Sequence, residues 1–197
     1  MKFNPDIHHR KTIRLREYDY SQTGFYFVTI CTQNRAPLFG DIIDGLMVLN
    51  EAGRMVQTVW NDMSAYYPDV LLDEFVIMPN HVHGIVIVGA APCGRPDDKK
   101  EMRESKQGHP QGVAPTKTMM RTLSLPDIVH RFKSMTTKRY IQGVNEHNWP
   151  CFPGRLWQRN YWEHIIRDEK DLTNAQAYIL NNPAQWESDE LHSRGII

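Results

Sequence analysis

Two histidines separated by one residue open an apolar stretch of the chain, MPNHVHGIVIV at residues 78–88. In a β-strand the side chains alternate between faces, so His81 and His83 would point to one side and Val82 to the other. Cα atoms two residues apart in a strand are roughly 6–7 Å apart, which lets both imidazoles bind one metal ion. The alternative is a hydrogen-bonded core histidine beside a surface histidine.

The residues that follow the histidines disfavour three known H-x-H chemistries. A hydrolase of the metallo-β-lactamase kind would continue as H-x-H-x-D-H, whereas this chain continues Gly84-Ile85-Val86. A histidine-triad nucleotide hydrolase would have a third histidine in place of Ile85. A cupin would add a carboxylate a few residues later, and none occurs before Asp97. A further ligand and a nucleophile must therefore come from elsewhere in the chain.

A predicted helix near the C-terminus offers both groups. At about 100° per residue, Leu172, Ala175 and Ile179 form an apolar stripe that can pack on a sheet. Tyr178 and Asn182 are four residues apart, so they lie one turn apart on one flank of this stripe. The alternative is that the tyrosine and the amide are only a hydrogen-bonded packing pair.

The elements that must position these groups follow from the spacing of apolar residues and from turn and capping signals. The sequence predicts a strand at 24–33, a hairpin at 38–49 around Asp44-Gly45, a helix at 50–66, strands at 70–78 and 81–89, and helices at 124–142 and 168–182. Asn50 and Ser124 are suitable N-caps for the first two helices, and Pro183 ends the last one. The pattern assigns no element to residues 156–167.

This order of elements predicts a single α+β domain over residues 1–197. An antiparallel sheet with helices packed on one face is the expected architecture, and the ferredoxin-like or RRM-like topology is the nearest named one. Residues 90–122 are rich in Gly, Pro and charged residues, which indicates a flexible insertion in this domain.

Composition narrows the class of protein. Hydrophobic residues make up 41% and charged residues 23% of the chain, which is typical of a globular protein. The three cysteines, Cys31, Cys93 and Cys151, have no C-x-x-C spacing, so neither a disulfide framework nor a zinc ribbon is expected. Apolar runs are too short to cross a bilayer, and the polar N-terminus lacks the apolar segment of a signal peptide. We therefore expect a cytoplasmic protein without membrane contact.

Positive charge is concentrated in two segments, although the formal net charge is +0. The first set is Arg10, Lys11, Arg14 and Arg16, and the second is Arg131, Lys133, Lys138 and Arg139. Such clusters can form a phosphate-binding surface on a neutral protein. Taken alone, either set is equally compatible with solvated surface.

The histidine pair is an HUH motif, in which a hydrophobic residue separates two histidines. With other segments, it resembles the single-tyrosine HUH transposases of the insertion sequence 200/605 type, and most of all their domesticated branch, the REP-associated tyrosine transposases. The resemblance is carried by RKTIRL at 10–15, YDY at 18–20, YFVTICT at 26–32, MPNHVH at 78–83, LWQRNY at 156–161 and YILNNP at 178–183. HUH alone is short, but this ordered set is specific and spans nearly the whole chain apart from 90–122.

The resemblance implies a role for each residue of the motifs. His81 and His83 would hold a divalent metal, Mg²⁺ or Mn²⁺, and Tyr178 would be the nucleophile. Asn182 takes the third-ligand position, where some relatives have Gln, and its side chain keeps the carbonyl oxygen but has a shorter reach. Tyr161 is the rival nucleophile, although packing or base stacking is its readier role.

The implied function is cleavage and rejoining of single-stranded DNA near a hairpin, such as a REP element, through a covalent 5′-phosphotyrosine intermediate. Both cationic sets would contact phosphates, and Trp157, Arg159 and Tyr161 would contact the DNA, with the two rings stacked on unpaired bases. The protein would act at the nucleoid as a monomer or homodimer. Two other interpretations stay open: a nucleic-acid-binding module that has lost catalysis, and a metal-dependent phosphodiesterase that uses activated water.

Overall fold

The computed structural model describes residues 18–68, 70–89 and 123–192. The strands are β1 Gly24–Cys31, β2 Gly40–Ile43, β3 Leu46–Leu49, β4 Val70–Met78, β5 His81–Val88 and β6 Trp162–Ile166. The helices are α1 Glu51–Tyr66, α2 Leu125–His147 and α3 Glu169–Asn181, with short 3-10 helices at Gln33–Arg35 and Pro183–Ser188. Every element predicted from the sequence within these residues is present, and β6 is an additional strand.

Four strands form an antiparallel sheet in the order β4-β5-β1-β6, and β2 and β3 form a separate hairpin. Without the hairpin and the C-terminal helix α3, the chain order is β-α-β-β-α-β, which is the ferredoxin-like arrangement. The predicted α+β class with an antiparallel sheet is confirmed. Because β5 and β1 are the central strands, the two histidines of β5 lie in the middle of the sheet rather than at an edge.

Local signals explain why the hairpin and α1 form where they do. Asp44 and Gly45 both have positive φ angles, 51° and 75°, as the two central residues of a type I′ hairpin turn require. Directly after the hairpin, Asn50 caps α1, and its side chain accepts a hydrogen bond of 2.9 Å from the backbone N–H of Gly53.

Different helices cover the two faces of the sheet. Helices α1 and α2 pack on the face that carries Val82 and Val86, where Trp60 and Phe132 join the main core. Gly84 lies on this face, and a Cβ there would be 2.5 Å from the Trp60 ring, so the missing side chain lets the indole approach the strand. The expected packing of helices on one face therefore holds for α1 and α2.

Helix α3 lies on the opposite face, beside the histidines. Its Ile179 is fully buried against Ile85 and Ile166, and the rest of the predicted apolar stripe, Leu172 and Ala175, packs around this small cluster. The sheet thus has a continuous core on one face and a partly open surface on the other. This open surface holds the residues whose side chains could bind a metal ion or react with a substrate.

Helix α2 extends five residues beyond the predicted end at Gln142. Gly143, the first residue after the predicted end, is buried within the helix, and the helix is capped at Asn148, which adopts the left-handed conformation. A Cβ at position 143 would be 2.2 Å from the Trp149 ring. The glycine is therefore needed for the close packing of Trp149 rather than for a turn.

Two sets of predicted residues lie outside the described ranges. They are the basic N-terminal set, Arg10, Lys11, Arg14 and Arg16, and the insertion at 90–122. Among the residues that the structure describes, no helix is both long enough and apolar enough to span a membrane.

Candidate active site

The two histidines of the HUH motif point to the same face of the sheet and touch each other. Their Nε2 atoms are 2.9 Å apart, and their rings are almost fully buried, with 0% and 2% of His81 and His83 exposed. Cys31 and Thr29 of β1 are the cross-strand neighbours of His81 and His83. The pairing of two central strands therefore fixes both rings, as the alternation along the strand predicts.

Hydrogen bonds at the outer ring nitrogens orient both imidazoles. His81 Nδ1 donates to Asn80 Oδ1 over 2.7 Å, and His83 Nδ1 lies 2.8 Å from Thr29 Oγ1. A histidine that uses Nδ1 in this way presents Nε2 as a ligand. Burial lowers the pKa of both rings to about 3, so they are uncharged near neutral pH and keep a lone pair for a metal ion.

The Nε2 separation suits a shared metal ion. Two nitrogens that bind one ion at right angles and about 2.1 Å away are separated by about 3 Å. A carboxylate lies beside them: Asp189 Oδ2 is 3.9 Å from His81 Nε2, and one ligand atom from each of His81, His83 and Asp189 lies within 4.8 Å of the others. Two imidazoles and one carboxylate form a donor set that Mn²⁺ or Mg²⁺ accepts.

Sequence reasoning missed Asp189. It follows the 3-10 helix Pro183–Ser188, seven residues after Asn182, and no motif or spacing distinguishes it from other acidic residues near the C-terminus. Its Oδ1 accepts a hydrogen bond of 2.7 Å from the backbone N–H of Leu191, which leaves Oδ2 facing the histidines. Only the return of the chain after α3 brings this carboxylate to the site.

Asn182 lies in the same cluster and is only 2% exposed. Its Nδ2 donates to Asp189 Oδ2 over 3.4 Å. Its Oδ1 is buried and has no hydrogen-bond partner among the described residues, which is a costly arrangement for a carbonyl oxygen. An oxygen of this kind next to two imidazoles fits a metal ligand, so the residues present are compatible with the implied ion.

Tyr178 lies against the histidines from the α3 side. Its ring is edge-on to His83, with centroids 5.2 Å apart, and edge-on to Phe27 at 5.8 Å. The residue is 44% exposed, so one side of the ring remains open to a substrate. Burial raises the pKa of the phenol and the Asp189 carboxylate adds to this, whereas a hydrogen bond from Asn182 lowers it.

An open groove of about 900 Å³ runs over these residues. Its lining includes Phe27, Thr29 and His83 from the centre of the sheet, Tyr178 from α3, Asn160 from the loop before β6, and Trp162, the first residue of β6. Its size and open shape suit an extended polymer better than a small molecule enclosed in a pocket. His83 lies at its floor with His81 buried behind it, and the phenol of Tyr178 forms part of its wall.

The cations of α2 lie on the helix that covers the opposite face of the sheet from the histidines. Arg131 lies over the ring of Tyr67 at 4.6 Å, and Arg139 is 3.5 Å from the carboxylate of Asp62, while Lys138 is exposed. Phosphate contact by these three therefore stays a prediction. If they bind DNA, they bind a part of it that lies away from the groove.

Lys133 has a different environment from the other α2 cations. Its Nζ donates to the backbone carbonyls of Gln158, Arg159 and Asn160 over 2.9, 3.4 and 3.1 Å. The ammonium also lies 5.4 Å from the centre of the Tyr161 ring. Lys133 thus fixes the loop before β6, and Arg159 in that loop is exposed and available for a phosphate.

The two residues predicted to stack on bases, Trp157 and Tyr161, are both largely buried. Trp157 is only 4% exposed, packs against Phe39 and Phe132, and donates from Nε1 to Thr136 Oγ1 over 2.8 Å. Tyr161 is 8% exposed and lies in the same core. The Trp157 ring fills the core under β1 and presents no face to a base. Tyr161 also lines the groove, so its contact with DNA stays a prediction.

Comparison with known proteins finds relatives in Haemophilus influenzae. No protein-family model matches the chain. An uncharacterized protein of Haemophilus influenzae is 41% identical over 191 residues, which cover 97% of each chain. The chain belongs to the same family as that protein.

A second protein of the same organism, named "Putative REP-associated tyrosine transposase", is 25% identical over 167 residues, which cover 85% of this chain and 74% of that protein. The chain is thus a distant homologue of a protein with this name, and the comparison supports a transposase-like family. A solved structure of a REP-associated tyrosine transposase bound to a REP hairpin is 18% identical, with a TM-score of 0.49 over 88% of this chain and 74% of that one.

Proposed function

We propose that this protein is a metal-dependent nickase and strand transferase that cleaves and rejoins single-stranded DNA near a hairpin, with Tyr178 as the nucleophile. The observation that carries the proposal is that two imidazoles and a phenol meet beside the open groove. A half-exposed phenol lies 5.2 Å, centre to centre, from an imidazole whose Nε2 is 2.9 Å from that of a second imidazole. The resemblance of the chain to REP-associated transposases supports the hairpin as substrate.

Metal binding is assigned to His81 and His83 through Nε2, with an oxygen from Asn182 or Asp189 as the third protein ligand. When bound there, Mg²⁺ or Mn²⁺ would neutralise the charge of the scissile phosphate and favour the phenolate form of Tyr178. Asn80 and Thr29 hold the two imidazoles in the orientation that this requires.

The reaction proceeds by attack of the Tyr178 phenolic oxygen on the phosphorus. A bond forms between that oxygen and the phosphorus, and the bond from the phosphorus to the 3′ oxygen breaks. The phenol proton is lost to solvent, which reaches the exposed side of the ring, and the departing 3′ oxygen takes up a proton. The product is a 5′-phosphotyrosine and a free 3′-hydroxyl. A 3′-hydroxyl that attacks this ester reverses the step, so rejoining needs no ATP.

The test is formation of a covalent adduct with a hairpin oligonucleotide that carries unpaired flanks, in the presence of Mn²⁺. We expect the wild-type protein to form an adduct that survives denaturing electrophoresis, and Tyr178→Phe to form none. Tyr161→Phe is the matched control, because this rival tyrosine is buried in the main core. An adduct that survives in Tyr178→Phe and disappears in Tyr161→Phe would show that the nucleophile is assigned incorrectly.

The same assay distinguishes the two alternatives. Hairpin binding without an adduct and without cleavage would indicate a nucleic-acid-binding protein that lacks catalysis. Cleavage without an adduct, unchanged in Tyr178→Phe, would indicate a phosphodiesterase that uses activated water. Either result would overturn the proposed strand transfer.

A further inference from the structure

Trp162 is unusual among the tryptophans of this chain. It is 64% exposed, whereas Trp60 and Trp157 are buried and Trp149 and Trp186 are half-buried. Tryptophan is enriched at binding interfaces, because its burial there removes a large apolar area from water. Trp162 begins β6, the edge strand of the sheet.

The strand register aligns Trp162 with the candidate active site. Thr29 of β1 pairs with His83 on one side and with Trp162 on the other, so these three residues form one row across the same face of the sheet. Trp162 also lines the groove that contains His83 and Tyr178. Neighbouring strands lie about 4.8 Å apart, so two steps place the backbone of Trp162 roughly 10 Å from that of His83.

The surroundings of Trp162 suit a nucleotide. Asn160 lines the groove beside it and offers an exposed amide group to a base edge, whereas the Gln158 amide N–H donates to the Thr32 carbonyl over 3.1 Å. Arg155 and Arg159 are exposed in the same loop. The adjacent carboxylate of Glu163 belongs to the opposite face of the strand, where its Oε1 accepts a hydrogen bond of 2.8 Å from the Tyr20 hydroxyl.

The opposite side of the groove has a different charge. Asp189 and Glu190 line it in the segment after α3, beside Arg35, which donates a hydrogen bond of 3.0 Å to the Glu190 carbonyl. The cations Arg155 and Arg159 are exposed in the loop before β6, and the carboxylate of Asp171 is already bonded to His164 of β6. A phosphate backbone is repelled by carboxylates and attracted by guanidinium groups. A single strand that lies in the groove therefore follows the β6 side, over Trp162.

We propose that Trp162 is a stacking platform for one unpaired base that lies one or two nucleotides from the scissile phosphate. This proposal rests on the proposed function for the position of that phosphate. Base–aromatic stacking is tolerant of sequence, so Trp162 contributes affinity and register along the strand rather than base specificity. Lys133 holds the loop carbonyls of residues 158–160 and thereby fixes the approach to this platform.

The experiment measures binding without chemistry, in a Tyr178→Phe background with a hairpin oligonucleotide that carries unpaired flanks. Adding Trp162→Ala should weaken binding by roughly five- to a hundred-fold, the range expected for loss of one base–aromatic stack, and Trp162→Phe should retain most of the affinity. A blunt hairpin without flanks should bind equally to all three. Tyr66→Ala removes another exposed aromatic ring, 58% exposed at the end of α1, and should change nothing.

Replacing flank nucleotides one at a time with abasic residues locates the base. An abasic residue at one position within two nucleotides of the cleavage site should weaken binding by the protein that retains Trp162. The same abasic residue should have no further effect on binding by the Trp162→Ala variant. Equal affinities of these two proteins for the flanked hairpin would overturn the platform, as would an equal loss on the blunt hairpin.

Failure of this inference is distinguishable from failure of the proposed function. If the protein with Tyr178 forms no adduct but Trp162 still responds to the flanks, the chemistry is wrong and the platform remains. If the adduct forms and Trp162→Ala binds and reacts like the wild type, only the platform is wrong.

Discussion

The phenol of Tyr178 stands edge-on to the imidazole of His83, with centroids 5.2 Å apart and an interplanar angle of 71°. This contact joins two elements that are far apart in the chain, the central strand β5 and the C-terminal helix α3. The next residue after the tyrosine, Ile179, is fully buried under the helix. The position of the phenol is therefore set by how the helix docks on the sheet.

Ile179→Ala should loosen this docking. Loss of a fully buried isoleucine costs about 2–5 kcal/mol of unfolding free energy, and adduct formation should fall because the phenol is no longer held against His83. Urea unfolding and the adduct assay measure the two effects. Leu180→Ala is the control, since its side chain is 64% exposed on the same helix, and a comparable loss in that variant would contradict the docking argument.

Metal binding can be measured without activity. Saturation of a site at 100 times its Kd stabilises the folded state by about 2.7 kcal/mol, so Mn²⁺ should raise the Tm of the wild type but not that of His81→Ala or His83→Ala. Asn182→Ala and Asp189→Asn identify the third ligand. The variant that removes the true ligand should show a smaller Mn²⁺-dependent rise in Tm than the other variant.

Glu187→Gln is the matched control for this measurement, since it removes an exposed carboxylate from the same C-terminal segment. The Mn²⁺-dependent rise in the Tm of this variant should equal that of the wild type. A Tm shift that persists in both histidine variants would mean that Mn²⁺ binds elsewhere.

Gly84→Ala should destabilise the fold although it adds only a methyl group. Its Cβ would lie 2.5 Å from the Trp60 ring and 3.0 Å from Phe75, two rings that stack on each other. Overpacking of this kind costs about 1–3 kcal/mol, measurable by urea unfolding. Gly24→Ala is the matched strand control: its nearest contact would be 3.5 Å, so its loss should be clearly smaller.

The lysines of α2 should separate into a structural and a surface class. Lys133→Met removes three hydrogen bonds to the loop before β6, so amide hydrogen exchange at residues 158–161 should accelerate. Lys138→Met, which changes an exposed lysine of the same helix, should leave that exchange unchanged. Unchanged exchange in Lys133→Met would show that the loop holds its conformation without the ammonium.

Arg159→Ala tests the exposed cation that this loop presents. It should weaken hairpin binding uniformly across sequences and reduce the salt slope of the affinity by about 1, as expected for loss of one phosphate contact. Titrations at several salt concentrations measure the slope. A slope equal to that of the wild type would remove Arg159 from the DNA-binding surface.

The attachment of α3 to β6 should depend on pH through Asp171. The carboxylate accepts hydrogen bonds of 2.9 and 3.0 Å from His164 Nε2, and this is the main reason that the pKa of Asp171 is lowered. A lowered folded-state pKa means that the stabilisation is present above the unfolded value of about 3.9 and is lost as the pH falls through the folded value.

Asp171→Asn should therefore be less stable than the wild type at about pH 5, and the difference should vanish toward about pH 2. Urea unfolding at both pH values measures this. Glu169→Gln, an exposed carboxylate in the same helical turn, controls for the lost negative charge. A difference between wild type and Asp171→Asn that does not depend on pH would exclude titration of this carboxylate as its cause.

Most of the fold was predictable because its signals are local. The Asp44-Gly45 turn, the Asn50 cap and the alternation along β5 each depend on a few neighbouring residues, and the structure contains the corresponding hairpin, helix and strand. The strand β6 gave no such signal. It is a five-residue edge strand with exposed residues on one face, so its pairing with β1 decides its conformation.

The sequence by itself determined that His81 and His83 share a face, since alternation along a strand requires it, and that Tyr178 and Asn182 share a flank of one helix. Only the tertiary structure decided which face α3 covers, and thus that the phenol meets the imidazoles. It also brought Asp189 to the site, buried Trp157 and exposed Trp162. The reason is physical: burial and contact between distant segments depend on packing of the whole chain, which no short pattern encodes.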